Sequence, residues 1–172
     1  ELSNGCICCT LRDDLLNEVM ALAKEQKYDY LLIESSGISE PLPVAQTFSF
    51  TDEDGSSLED WAQLDTLVTV VDAVHFLEQF KGEQKLAELG MAVSEEDERG
   101  LADLFVDQVE FADVILVNKA DMVSEEKLKE VTDTVKTLNP VAEVFTTTRS
   151  EISLDHLLGT GKFDMEKASK SA

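Results

Sequence analysis

Basic residues are scarce in this chain, which has 14 Lys and Arg against 36 Asp and Glu and a net charge of −22. Nucleic acids and anionic membranes attract clustered cationic side chains, so we expect neither as a partner. No apolar run approaches the roughly 20 residues that cross a bilayer, so we expect no membrane-spanning segment. The 172 residues, 43% of them hydrophobic, are enough for one domain with its own core.

Cysteine is absent outside one cluster, where Cys6, Cys8 and Cys9 lie within five residues beside Gly5. Three cysteines cannot all pair as disulfides within one chain, since the count is odd and two of them are adjacent. Free thiols without a secretory segment favour a reducing compartment, so we expect a cytoplasmic protein.

The same spacing makes the three cysteines candidate ligands of a thiophilic ion such as Zn²⁺ or Cu(I). Three thiolates leave a fourth coordination position for water, another side chain or a partner, so the metal could be handed over. The alternative is a buried apolar trio that binds nothing. His75 and His156 are weaker candidates for a further ligand and are also compatible with ordinary surface histidines.

Hydrophobic periodicity predicts helices that alternate with strands. The helices begin at Thr10, near Leu101, after Ser124 and near Leu154. The predicted strands are Tyr28–Ser35, Leu67–Val71, Val114–Val117 and Val144–Thr146. Because these strands are continuously apolar, they suit a parallel sheet covered on both faces, and the fold class is α/β.

The strand at Val114–Val117 is followed by Asn118-Lys119-Ala120-Asp121, an N-K-x-D sequence. Ligands of parallel α/β sheets bind at the carboxyl ends of strands. A carboxylate at Asp121 can accept hydrogen bonds from the N1–H and the exocyclic amine of guanine, whereas adenine would leave it unpaired. Asn118 would tie neighbouring loops together, and the stem of Lys119 would lie along the base. The alternative is a plain turn between a strand and a helix.

The strand predicted at Tyr28–Ser35 leads into Ser36-Gly37, with Glu34 near its end. A carboxylate at such a position can hold Mg²⁺ beside phosphates, directly or through water. Gly37 would let the backbone approach a γ-phosphate and move when that group leaves. We therefore predict catalytic roles for Glu34 and Gly37. The alternative is a turn in which Glu34 is merely exposed.

Four segments, taken in this order, resemble the CobW-type family of metallochaperone GTPases: ELSNGCICCTLRDDL, IESSGISEP, VVDAVHF and NKAD. The resemblance covers nearly the whole chain. It implies a P-loop GTPase-like three-layer sandwich with a parallel sheet. It also implies an enzyme that binds GTP or GDP with Mg²⁺, and a GTP cycle coupled to delivery of zinc or cobalt to a client metalloenzyme.

The resemblance also implies the roles of particular residues. The metal would be bound by Cys6, Cys8 and Cys9. The E-x-x-G switch would be Glu34 and Gly37. The guanine loop would be Asn118, Lys119 and Asp121.

One element of that family is missing, because no G-x-x-x-x-G-K-[ST] phosphate loop occurs in these residues. In the family this loop lies upstream of the cysteines. We therefore expect residues 1–163 to be an N-terminally truncated GTPase domain and 164–172 to be a polar tail or the start of a linker. The parent protein would hydrolyse GTP, and the segment alone would not.

Two alternatives stay open. One is a metal-binding or metal-storage module without nucleotide chemistry. The other is a GTPase in which the cysteines are structural. The oligomeric state is open as well, a homodimer included.

Overall fold

The structure, a computed structural model, describes residues 9–25, 27–37, 39–49, 57–81 and 101–165. It divides the chain into two compact units, Glu1–Leu64 and Asp65–Ala172. Each unit has its own cluster of buried hydrophobic side chains. Within the described residues, no helix has both the length and the apolar character that crossing a membrane requires.

The described residues of the first unit form two helices, α1 (Cys9–Glu25) and α2 (Pro41–Ser49), and a short 3₁₀ turn at Leu58–Asp60. The helix predicted to begin at Thr10 is therefore confirmed as α1. Helix α2 was not predicted. Its prolines lie in the first turn, where a missing backbone N–H is tolerated. The core of this unit is formed by Leu15, Val19, Val44, Phe48 and Leu58.

The strand predicted at Tyr28–Ser35 is wrong for this structure, because residues 28–35 are described and form no strand. A strand needs a neighbour that satisfies its backbone donors and acceptors. The sheet of the described residues contains three strands, none of which is drawn from this segment. Most of its apolar side chains are exposed, Leu32 to 85%, whereas Ile33 is partly buried against the core of the first unit.

The second unit is built on a parallel sheet of three strands in the order β1-β2-β3, with β1 at Val68–Asp72, β2 at Val114–Asn118 and β3 at Glu143–Thr146. All three strands were predicted. Residues 114–117 of the central strand are buried, which explains their continuous apolar character. The parallel α/β class is therefore confirmed.

Three helices accompany this sheet, namely α3 (Phe76–Phe80), α4 (Leu101–Glu110) and α5 (Glu125–Leu138). The predicted cap of α5 is confirmed, since the Ser124 side chain accepts a hydrogen bond from the Lys127 backbone N–H at 3.2 Å. The helix predicted near Leu154 is only a 3₁₀ turn at Leu154–His156. The core comprises Val71, Ala73, Phe76, Leu77, Val109, Ala112, Ile115, Val117, Val131 and Val135.

Asn139 closes α5 and organises the amino end of the sheet. It is 3% exposed, and its Oδ1 accepts hydrogen bonds from the backbone N–H groups of Val141 and Ala142. Its Nδ2 donates to three carbonyls around the end of α4, at Val109, Glu110 and Ala112. One side chain therefore bonds to backbone groups of two connections, the one from α4 to β2 and the one from α5 to β3.

Asp65, which precedes β1, holds the segment that follows the 3₁₀ turn at Leu154–His156. Its carboxylate accepts hydrogen bonds from the backbone N–H of Gly161 at 2.6 Å and of Thr160 at 3.2 Å. The Thr66 hydroxyl donates to it at 3.0 Å. Partial burial raises the pKa of Asp65, but these hydrogen bonds outweigh the burial, so the pKa lies below its ordinary value.

Candidate functional site

The carboxyl ends of the three strands lie at one edge of the sheet. Asp72 at the end of β1 is the register partner of Asn118 at the end of β2, and Val117 pairs with Thr146 at the end of β3. The Ala73 backbone N–H donates to the Asn118 carbonyl at 3.0 Å, which extends the contact past β1. Residues from three separate parts of the sequence therefore meet here.

Asn118 connects β2 to the loop after β3. Its Oδ1 accepts hydrogen bonds from the Thr147 hydroxyl at 3.1 Å and from the Ser150 backbone N–H at 2.9 Å. The predicted bridging contact between loops is thus present. No described residue accepts a hydrogen bond from its Nδ2, so this amide group can still donate to a ligand.

The turn held by Asn118 has an unusual backbone. Arg149 and Ser150 have φ values of 53° and 55°, and the Glu151 N–H closes the turn on the Thr148 carbonyl at 3.1 Å. A turn with positive φ at both central positions is normally occupied by glycine or asparagine. Any other residue type destabilises such a backbone conformation by roughly 1–2 kcal/mol per position. The hydrogen bond from Ser150 to Asn118 offsets part of this cost.

Lys119 also has a left-handed backbone, with φ 64°. Its Nζ donates to Oδ2 of Asp72 at 2.6 Å, so the side chain runs from β2 toward the end of β1. The side chain of Lys119 is 43% exposed and that of Asp72 is 31% exposed. The pair is therefore partly desolvated while it remains accessible to a ligand.

Asp72 has a fixed carboxylate. Its Oδ1 accepts a hydrogen bond from the Val74 backbone N–H at 2.8 Å, and its Oδ2 also lies 2.9 Å from His75 Nδ1. Partial burial raises the pKa of Asp72, but the hydrogen bonds from Lys119, His75 and Val74 outweigh it and bring the pKa to about 2. Sequence reasoning assigned Asp72 no role. The available signal was an aspartate at a strand end with a histidine three residues later.

Asp121 lies in a 3₁₀ turn, Ala120–Met122. The Ala120 N–H donates to the Thr147 carbonyl at 3.0 Å, which fixes this turn to the loop after β3. The side chain of Asp121 is exposed, and its carboxylate forms no hydrogen bond or ion pair with any described residue. Both of its oxygens can therefore accept hydrogen bonds from a ligand.

The two residues predicted to be catalytic lie in the first unit. Glu34 is exposed in a segment without regular secondary structure. Gly37 belongs to a turn in which the Ser39 N–H donates to the Ser36 carbonyl at 3.0 Å. A Cβ built at Gly37 would meet no atom within 4 Å, so this conformation does not require glycine for space. The roles of Glu34 and Gly37 stay predictions.

The predicted metal ligands lie mostly outside the described residues, which include neither Cys6 nor Cys8. Cys9 is the first residue of α1. In the described ranges there is no group of three or more His, Cys, Asp or Glu side chains that could hold a metal ion. His75 contacts Asp72, and the ring of His156 lies 4.6 Å from that of Phe145 between centroids. The metal site also stays a prediction.

A parallel sheet with polar residues at its carboxyl edge is typical of ligand-binding domains of the α/β class. The chain belongs to the family described as CobW/HypB/UreG, nucleotide-binding domain, whose sequence profile matches residues 1–146. The resemblance predicted from the sequence is thereby confirmed.

Two relatives show the range of similarity. Zinc-regulated GTPase metalloprotein activator 1 of Dictyostelium discoideum is 54% identical over 172 residues, which cover 99% of this chain and 36% of that protein. Zinc chaperone CobW of Pseudomonas aeruginosa is 31% identical over 170 residues, which cover 92% of this chain and 42% of that protein. The chain thus spans less than half the length of either relative.

The fold is similar to that in the crystal structure of Zn(II)-bound YjiA GTPase from E. coli. The TM-score is 0.62 at 30% sequence identity, over 91% of this chain and 42% of that chain. The predicted parallel-sheet, P-loop GTPase-like fold class is therefore confirmed.

Proposed function

We propose that this chain carries the guanine-reading site and the metal-binding loop of a GTP-dependent metallochaperone. The observation that carries the proposal is the exposed carboxylate of Asp121, which has no partner among the described residues and lies on a turn fixed to the loop after β3. The names of the Dictyostelium and Pseudomonas relatives support the same function.

Base recognition follows from the atoms that the site leaves available. Asp121 accepts hydrogen bonds from the guanine N1–H and exocyclic amine, while Asn118 Nδ2 donates to an acceptor on the purine. The alkyl stem of Lys119 lies along the face of the base. Adenine lacks the N1–H, so a desolvated Asp121 would lose its partners and the site would reject adenine nucleotides.

The proposal assigns metal capture to Cys6, Cys8 and Cys9. Thiolates are ligands that Zn²⁺ prefers, and Co²⁺ accepts the same set. Cys9 begins a helix of 17 residues, and a helix N-terminus favours thiolate over thiol. The metal is cargo, which is passed to a client metalloenzyme from a site with an open coordination position.

We assign hydrolysis to Glu34 and Gly37. Glu34 would hold Mg²⁺ beside the phosphates, and Gly37 would follow the γ-phosphate. Since the chain spans 36% of the Dictyostelium relative, we treat residues 1–163 as part of a longer GTPase domain and 164–172 as a tail or linker. GTP turnover then belongs to the full-length protein, in which a phosphate loop supplies the remaining contacts.

The first test replaces Asp121, the residue proposed to recognise guanine. In the full-length protein, Asp121→Asn should weaken GDP binding by roughly tenfold to a hundredfold, because charge-assisted hydrogen bonds of about 1.5–3 kcal/mol are lost. Discrimination against other purine nucleotides should relax as well. The matched control is Asp133→Asn on the exposed face of α5, where the carboxylate pairs only with Lys129. Equal GDP affinity in the Asp121 variant and the control would overturn the assignment.

The second test concerns the metal and separates the alternatives. Under reducing conditions we expect one Co²⁺ per chain, with strong sulfur-to-metal charge-transfer absorption that is lost when Cys6, Cys8 and Cys9 are replaced by Ser. GTP should change the amount of bound metal in the full-length protein. If the amount of bound metal does not change when GTP is added, a metal-storage module is favoured. An unchanged absorption spectrum in the variant with Ser at all three positions would refute the assignment of the cysteines as ligands.

A further inference from the structure

The ion pair between Asp72 and Lys119 joins the first two strands at the edge where the base would bind. Lys119 follows β2 in a left-handed backbone conformation, and its Nζ reaches Oδ2 of Asp72 at 2.6 Å. A free lysine side chain samples many rotamers, and ordering it on ligand binding opposes affinity. The contact with Asp72 orders it in advance.

We propose that Asp72 is a positioning residue for Lys119, which it holds so that the lysine stem crosses the purine site in one direction. This inference rests on the guanine site proposed above. Asp72 need not touch the nucleotide, since its effect passes through the Nζ of Lys119.

The surroundings of Asp72 suit this role. The Val74 N–H fixes Oδ1 from two residues along the chain, so the carboxylate is oriented before Lys119 reaches it. His75 Nδ1 shares Oδ2 with Lys119 and further restricts the position of that oxygen. Because the pKa of Asp72 is about 2, the carboxylate is ionised at neutral pH.

A double-mutant cycle on GDP affinity in the full-length protein tests the inference. The variants are Asp72→Asn, Lys119→Met and the double variant, with thermal midpoints measured for each. Asp72→Asn should weaken GDP binding by about tenfold in the presence of Lys119 and by less than about twofold in the Lys119→Met background. The amide keeps an acceptor for the Val74 N–H, so the fold should be retained.

The matched control is Glu143→Gln, which removes a partner of Lys162 at 2.7 Å near the amino end of β3. This variant should bind GDP like the unmodified protein. Asp72→Asn should also weaken the binding of GDP and of inosine diphosphate (IDP) by the same factor, because the lysine stem contacts the face of the base. Asp121→Asn should instead change the ratio of the two affinities.

Three outcomes would overturn the inference. If Asp72→Asn leaves the GDP affinity unchanged, the positioning role is refuted but the proposed guanine site is not. Equal losses in both backgrounds of the cycle mean that Asp72 acts independently of Lys119. Absence of GDP binding in the unmodified protein removes the guanine site and this role with it.

Discussion

At the amino end of the sheet, Asp65, Asp113 and Asn139 bond mainly to backbone groups. At the carboxyl end, Asp72 bonds to the side chains of Lys119 and His75 as well as to one backbone N–H, and Asp121 is exposed to solvent. The residue types are the same at both ends. The difference lies in what their polar atoms contact. Side chains bound to the backbone fix connections of the chain, and side chains with available atoms can meet a ligand.

Asp65 and Asp72, which flank β1, make this contrast most directly. Both have a pKa below the ordinary value. Asp65 owes its shift to the Thr66 hydroxyl and chiefly to backbone N–H groups, which cannot be exchanged for a ligand without opening the chain. Asp72 owes its shift chiefly to Lys119 and His75, which are flexible side chains. A depressed pKa therefore identifies a function only when its cause is known.

The largest expected effect is on stability at the amino end. Asn139→Ala should lower the free energy of unfolding by about 3 kcal/mol or more, because buried backbone donors and acceptors lose their partners. Urea unfolding of the 172-residue chain measures this value. The matched control is Asn118→Ala, which loses two hydrogen bonds at a half-buried position and should cost about 1 kcal/mol.

If the two asparagine variants proved equally unstable, the division between a structural and a ligand-binding end would fail. A normal GDP affinity for the Asn118 variant of the full-length protein would also weaken the division, since Asn118 braces the loop that the proposed site needs.

A smaller effect is expected at Asp65. Asp65→Ala should destabilise the protein by about 1–2 kcal/mol, because the Gly161 and Thr160 N–H groups lose a charged acceptor at a partly exposed position. Asp65→Asn keeps a neutral acceptor and should cost less. In the full-length protein neither variant should alter GDP affinity. A loss of affinity as large as that of Asp72→Asn would show that the amino end also serves the site.

Most of the second unit could be predicted because its local signals agree with its tertiary environment. Residues 114–117 of β2 are all apolar and all buried, and the strand ends in the half-buried Asn118. Helix α5 has a serine cap and a stripe in which Val131 and Val135 are fully buried. The motif Asn118-Lys119-Ala120-Asp121 lies directly after that strand, so its location was predictable even though its contacts were not.

The failures arise where the signal depends on a distant part of the chain. Tyr28–Ser35 is apolar enough for a strand, but strand formation depends on a paired neighbour that the sequence pattern does not reveal. Asp72 was missed because its partner Lys119 is 47 residues away and meets it only through the register of β1 and β2.

The smallest expected effect concerns acid and salt. The pKa of Asp72 falls from an ordinary 3.8 to about 2 in the folded protein, so its ionised form stabilises the fold above about pH 4 and this contribution disappears as the pH falls toward 2. The difference in unfolding free energy between the unmodified chain and Asp72→Asn should therefore shrink over that interval. The same comparison for Asp65→Asn should have the same sign, since the pKa of Asp65 is also lowered.

The response to salt should distinguish the two carboxylates. The accessible pair of Asp72 and Lys119 should weaken as NaCl rises from about 0.1 M to 1 M, where the Debye length falls from roughly 10 Å to 3 Å. Asp65 bonds to backbone N–H groups and should respond less. Denaturant titrations at the two salt concentrations measure both contributions. A larger salt response at Asp65 than at Asp72 would contradict the view that backbone contacts dominate one end of the sheet and side-chain charges the other.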